Sequence, residues 1–213
     1  GPTAGATGTK DFTNIEWLKC ANNIRKVSVA EGSTIGVLQN AESTGSLRGM
    51  FFGCSQLEEA NLAGFRTNNA TDMSFMFYGC EKLAKADLSG FATENVKSNR
   101  FMFGNCRSLT NLDLTTFRLS RSESTEYMLS GCTSLTRVDF PAAINSYGLK
   151  YMNYMFNGCS SLPDANLSSF DTSIVERMEG MFFDATALRT VNVSGFTVGM
   201  TATPKHLFSG CQN

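Results

Sequence analysis

The chain has 213 residues, a formal net charge of −1 and only 17% charged residues. That balance argues against nucleic-acid binding, which needs clustered Lys and Arg. No apolar run is long enough to cross a bilayer, so no membrane insertion of this segment is expected.

In chain order, residues 1–10 read as a flexible lead-in rich in Gly and Thr. Residues 11–46 read as an N-terminal cap with its connector. Phe12, Ile15, Trp17 and Leu18 predict a short helix over one end of the molecule, and Ile24 to Val29 alternates like a strand. From residue 47 onward the text repeats. Cys54, Cys80, Cys106, Cys132, Cys159 and Cys211 lie 26, 26, 26, 27 and 52 residues apart, and Ala185 stands where the last gap lacks its cysteine. A fixed period in this range is the signature of a solenoid.

Six full copies begin at Leu57, Leu83, Leu109, Leu135, Leu162 and Leu188. Each opens Leu-x-x-Φ-[Asp/Asn]-Φ, where Φ is apolar, and the last three positions alternate as a half-buried strand does. A Phe follows three residues later in five copies: Phe65, Phe91, Phe117, Phe170 and Phe196. The fourth copy has Pro141-Ala-Ala143 instead and one extra residue, so its loop is expected to bulge. In the second half of each copy Met73, Met76 and Phe77, like Met152, Met155 and Phe156, fall at i, i+3, i+4 and predict a short helix. Ser173-Ile-Val-Glu176 fits a capping box opening one of them. Before each cysteine stands Gly53, Gly79, Asn105, Gly131, Gly158 or Gly210, with Asp184 before Ala185. These residues accept left-handed dihedrals, which predicts a helix stop. Strands separated by helical returns must run parallel. The expected fold is therefore an α/β solenoid with a 26-residue period, a parallel inner β-sheet and short helices on the outer side. One coil is too small to stand alone, and stacking buries both of its flat sides.

The pattern Leu-x-x-Leu-Asp-Leu-x-x-Phe, closing with Met-Phe-x-Gly-Cys-x-x-Leu, resembles the BspA-type leucine-rich repeats of bacterial surface proteins. Phe51 to Leu57, Phe77 to Leu83 and Phe156 to Leu162 carry the closing signature unbroken. Asn105, Asp184, Ala185 and the fourth loop depart from it. The resemblance implies a right-handed leucine-rich-repeat arc, a bacterial cell-envelope, surface or secreted location, and adhesion to host matrix proteins or other cells. An extracellular protein or glycan is the implied ligand.

On the inner sheet the polar position forms a column of Asn61, Asp87, Asp113, Asp139, Asn166 and Asn192, flanked by Lys85, Asn111 and Arg137. These nine residues are the candidate partner-binding set. Two readings of the column stand. In one, three successive aspartates repel, raise the pKa of Asp113 and attract a cation or a basic partner. In the other, each Asp or Asn bonds the turn that follows it. The cysteines read as a column of small buried thiols, since no C-x-x-C cluster offers metal ligands. His206, the single histidine, shares a repeat slot with Phe75, Phe101, Tyr127 and Tyr154 and has no nucleophile in register beside it. No catalytic, cofactor or metal residues are expected. Asn69-Ala-Thr71, Asn166-Leu-Ser168 and Asn192-Val-Ser194 match the glycosylation sequon as chance does in an Asn- and Ser-rich chain. The expected function is a non-catalytic binding module, with a structural spacer as the alternative. End-to-end self-association is expected through Val191, Val193, Leu207 and Phe208, which flank the last coil.

Overall fold

The computed structural model describes residues 23–29, 35–36, 45–197 and 204–212. The lead-in, the helix expected around Trp17 and most of the 31–46 connector lie outside the described residues. Among the described residues there are nine short strands: β1 (Lys26–Ser28), β2 (Ile35–Gly36), β3 (Glu59–Asn61), β4 (Phe65–Arg66), β5 (Lys85–Asp87), β6 (Asn111–Asp113), β7 (Arg137–Asp139), β8 (Asp164–Asn166) and β9 (Thr190–Asn192). Every pairing is parallel: β1 with β3, β3 with β5, β2 with β4, β6 with β7, and β8 with β9. Register advances by one repeat at each step, so Ala60 faces Ala86 and Leu112 faces Val138. In β1, β3 and β5–β9 the apolar middle residue points into the coil and its polar neighbours point out, as the period of two requires.

The outer helices predicted from the Met and Phe spacing are not formed; among the described residues there is no α-helix. The segments instead follow a two-fold alternation of backbone bonds. Met76, Tyr78 and Cys80 N–H groups bond back three residues, to Met73, Phe75 and Phe77. The intervening Met73, Phe75, Phe77 and Gly79 N–H groups reach the next coil, at Ser98, Arg100, Met102 and Gly104, over 2.8–3.0 Å. The same four inter-coil bonds recur from residues 47, 49, 51 and 53 through residues 152, 154, 156 and 158. A chain of tight turns thus carries a parallel ladder on this side, with isolated bridges running unbroken from Ser46 through Asp72, Ser98, Ser124 and Tyr151 to Arg177. Met73, Met76 and Phe77 are buried as expected. Turn closure over three residues produces the spacing that was read as helical. Ser173 does not open a helix: its N–H is held by Asp171 Oδ1, and Glu176 N–H bonds Lys150 O in the preceding coil.

Two positions recur as left-handed from coil to coil, because a turn with φ > 0 at its third residue needs it. One is the predicted stop, at Gly53, Gly79, Asn105, Gly131, Gly158, Asp184 and Gly210. The other holds bulky residues: Phe75 (φ 60°), Phe101 (54°), Tyr127 (54°), Tyr154 (55°) and His206 (55°). An L-residue there costs roughly 1–2 kcal/mol. The aromatic residues stack along the solenoid, with ring centroids 5.0 Å apart for Phe75–Phe101, 4.5 Å for Phe101–Tyr127 and 4.9 Å for Tyr127–Tyr154. Each such pair contributes about 0.5–1.5 kcal/mol beyond area burial, so an interior ring with two neighbours roughly offsets its strain. The series stops at Gly180 (φ 56°), where a Cβ would collide with the Tyr154 ring.

Inside, equivalent residues form columns. Phe51, Phe77 and Phe103 stack at 5.1 and 5.2 Å, and Phe156, Phe182 and Phe208 at 5.1 and 5.5 Å, with Leu129 between the two runs. The cysteine column is buried from Cys54 to Cys159, as expected, and Cys80 Sγ donates to Phe51 O at 3.1 Å. Cys106, Cys132 and Cys159 repeat that bond one coil further on each time. Burial pushes the Cys132 thiol up to about 12, which keeps its proton in place for the bond. Across the coil, buried hydroxyls make a second polar column. Thr67 Oγ1 accepts from Ala92 N–H and donates to Ala92 O, and Thr93 does the same with Arg118. Ser146 does so with Asp171.

Phe101→Ala keeps the left-handed backbone and loses two stacked neighbours, so it is expected to destabilise by roughly 2–3 kcal/mol. Phe101→Gly loses the same stacking but relieves the dihedral, and its deficit is about 1 kcal/mol smaller. Urea melts of both variants check the order. An alanine variant more stable than the glycine variant would contradict the strained-ladder account.

Candidate binding face

The strands place the nine expected residues on one exposed face, but in three short runs and not in one ladder. Asn61 lies opposite Asp87, Asp113 opposite Asp139, and Asn166 opposite Asn192. The pairing is interrupted between β5 and β6 and between β7 and β8. Of the three aspartates, only Asp113 and Asp139 are therefore registered neighbours. Lys85 lies opposite Glu59, which is ion-paired to Lys26 at 2.9 Å, and Asn111 lies opposite Arg137.

Each column residue is bound mainly within its own coil. Asp87 Oδ1 accepts from Ser89 N–H at 3.0 Å, and Asn192 Oδ1 accepts from Ser194 N–H at 3.1 Å. Asn61 does the same more loosely with Ala63 N–H, at 3.4 Å. Asp113 Oδ1 accepts from both Thr115 Oγ1 (2.6 Å) and Thr115 N–H (2.8 Å), and Asn166 Oδ1 from Ser168 Oγ (2.8 Å) and N–H (3.2 Å). The side chain two residues before each bonded N–H thus shapes the turn leaving the strand, which is the local competition Asp and Asn are suited to.

Asp139 is the exception, for a covalent reason. The residue two positions on is Pro141, which has no N–H to give. Its carboxylate instead takes Arg137 Nε at 2.8 and 3.0 Å. This pair changes the electrostatics of the face. The raised pKa expected for Asp113 from aspartate repulsion is overturned: the Thr115 hydroxyl and N–H hold the Asp113 carboxyl below its ordinary value, and Arg137 adds to the effect. Hydrogen bonding to the charged form outweighs a single like-charged neighbour that already has its own cation. Among the described residues no group of three or more His, Cys, Asp and Glu side chains is placed to hold a metal ion.

The bulge expected in the fourth coil is present, and it opens a cleft of about 260 Å³ on the strand face. Val138, Asp139, Phe140, Pro141, Ala142, Asn166, Ser168 and Ser169 line it. Its cause lies in the missing aromatic. Where other coils place Phe117 or Phe170, this one places the smaller, buried Ile144, and Phe140 turns its edge toward Phe170 at 5.0 Å. At other steps the residue after the strand bonds the next coil, as Leu62 N–H does to Asp87 O, Leu114 to Asp139 and Leu167 to Asn192, while Leu88 makes no such bond to Asp113. No corresponding bond joins Phe140 to Asn166. The cleft and the buried hydroxyl column both escaped the sequence reading. The period-26 recurrence of Thr67 and Thr93, continued by Ser146 and Thr172, could have revealed the second. His206 is exposed, and its Nδ1 lies 3.3 Å from Ser209 Oγ.

A family described as a Mycoplasma protein of unknown function, DUF285, matches residues 33–140 and 142–213. The unmatched residue between the two blocks is Pro141. No curated protein matches the chain. Among solved structures, a leucine-rich repeat protein from Bacteroides ovatus is similar at 16% identity and a TM-score of 0.38, over 88% of this chain and 58% of that one. A leucine-rich repeat protein from T. pallidum is similar at 17% identity and a TM-score of 0.33, over 79% of this chain and 73% of that one. The chain therefore spans little more than half the length of the Bacteroides protein.

The bonding at Asp113 makes a quantitative expectation. Its carboxyl should titrate below the reference of about 3.9, and Thr115→Val, which removes the nearer donor, should move it upward. Because the folded value is depressed, the contribution to stability is present above the unfolded value and is lost as pH falls through the folded one. Carboxyl-carbon NMR titration of wild type and variant checks this. An unchanged value in the variant would show that Thr115 does not hold the charge.

Proposed function

The chain belongs to the DUF285 family, and from that premise we propose that it is a non-catalytic binding module whose strand face engages an extracellular protein or glycan. One observation carries the reading. Positions that build the coil repeat nearly unchanged, whereas the outward strand position changes chemistry at every step: Glu59, Lys85, Asn111, Arg137, Asp164, Thr190. The core does not demand that variety, because these side chains are exposed or half-exposed and their bonds across coils, Glu59 to Lys26, Asn111 to Thr136 and Asp164 to Thr190, are made at the surface. A surface free of folding constraints, set on a regular scaffold, suits recognition of a partner along an extended face. Partner contact is assigned to Asn61, Lys85, Asp87, Asn111, Asp113, Arg137, Asp139, Asn166 and Asn192. Attachment to a bacterial cell surface or secretion, with adhesion as the role, belongs to the same proposal and draws on the repeat pattern.

A structural spacer is the second reading. The unbroken four-bond ladder on the turn side favours it, since that ladder would hold another domain at a fixed distance.

The two readings separate in one experiment. Wild type and Asp87→Lys/Asp113→Lys/Asp139→Lys are tested by surface plasmon resonance against purified extracellular-matrix proteins and immobilised glycans, with thermal melts run in parallel. Binding by wild type and at least a tenfold loss in a folded triple variant are expected. Equal binding by both would remove the strand face from the account, and no binding by either would leave the spacer.

A further inference from the structure

We propose that the cleft beside Pro141 is a binding site for a single neutral sugar ring, the terminal or branch unit of a glycan. The inference rests on the reading of the strand face as a binding surface and names the ligand class for one point on it.

Size comes first. At about 260 Å³ the cleft lies just under the roughly 300 Å³ at which ordinary small-molecule pockets begin. It can take one compact building block and not an extended ligand. The composition of the walls then decides which. Val138, Phe140 and Ala142 supply apolar surface, while Asp139, Asn166, Ser168 and Ser169 supply polar groups. A pyranose presents the same two characters, a C–H face and a rim of hydroxyls that each need a donor or an acceptor.

The polar groups provide both. Asn166 receives the Ser168 N–H and hydroxyl at its Oδ1, which fixes the amide so that its Nδ2 remains a donor. Ser168 Oγ gives its proton to that bond and keeps acceptor capacity. The Asp139 carboxylate is the one column carboxylate with no backbone N–H from its own turn, because Pro141 cannot supply one. It keeps lone pairs for sugar hydroxyls beyond those used by Arg137. That same Arg137 contact, at 2.8 Å, neutralises the carboxylate. The remaining lining is uncharged. A lysine or arginine side chain would therefore find no net negative charge, and an anion would find no cation in the lining. A neutral polyhydroxylated ring meets neither obstacle.

The extra residue of the fourth copy accounts for the place. It lies in the loop between Phe140 and Ile144, where Pro141, Ala142 and Ala143 bulge and the buried Ile144 stands in place of the larger Phe of neighbouring coils.

The test is saturation-transfer NMR on the full chain, using methyl glycosides of glucose, galactose, mannose and N-acetylglucosamine, with Nα-acetyl-lysine methylamide as the cationic comparison. Two variants accompany wild type. Ala142→Trp fills the cleft from an exposed loop position, and Asn166→Asp keeps the oxygen that Ser168 needs while removing the Nδ2 donor. At least one glycoside is expected to bind wild type, to lose all transfer in Ala142→Trp and to weaken about tenfold in Asn166→Asp. The proposal is overturned if no glycoside shows transfer, if transfer survives in Ala142→Trp, or if the lysine probe alone binds. If the glycosides fail while the strand face still captures a protein partner that the triple lysine variant loses, only the sugar site falls.

Discussion

Every coil of this protein is fastened to the next by backbone N–H groups that a helix would have spent on itself. Along residues 73–80 the donors alternate, one closing a turn within the coil and the next crossing to its neighbour. Buried backbone donors must be paired, and here half of them can be paired only if another coil is present. The stack is thus a consequence of how the chain satisfies its own peptide groups, in addition to the burial of Met, Phe and Leu. It also explains the strained dihedrals. Turns that leave alternate N–H groups aimed along the axis need a left-handed third residue, and Phe101 and Tyr127 tolerate that position because each lies between two rings.

The same constraint separates the two sides of the coil. On the turn side four bonds per step leave little freedom, and the polar group that enters, the Cys132 thiol, is bound to the adjoining coil. On the strand side the ladder is short and twice interrupted, and the Asp and Asn column bonds mainly within its own coil. Variation is concentrated there. Pro141 shows how one covalent change propagates: without its N–H, Asp139 turns to Arg137 and Asp113 gains a nearby cation, and the loop that Pro141 opens lines a cleft.

Much of the architecture was legible in the sequence. The cysteine period gave the coil length, the Leu-x-x-Φ-Asp-Φ text located strands β3 and β5 through β9, and the Gly or Asn before each cysteine marked a left-handed residue. The helices were misjudged because Met73, Met76 and Phe77 have the same spacing whether backbone bonds close over three residues or four; only the destination of the Phe77 N–H distinguishes them, and that lies 25 residues away. The Asp column was correctly placed on the exposed face, and its bonding to the following turn was one of the two readings. The direction of the Asp113 shift was not legible, because it depends on Thr115 and on the Arg137 diverted by a proline. The cleft was half visible: Pro141 and the extra residue marked the loop, but the wall that Asn166, Ser168 and Ser169 supply required the register of two coils.

The central claim concerns where the turn-side N–H groups go, and through-hydrogen-bond scalar couplings measure that directly. A long-range HNCO experiment on deuterated protein should connect Phe75 N–H to the Arg100 carbonyl carbon, Phe77 to Met102 and Gly79 to Gly104. Couplings from Phe77 to Met73 and from Tyr78 to Ser74 would instead mean an α-helix on this side, and the account of the stack would have to be abandoned.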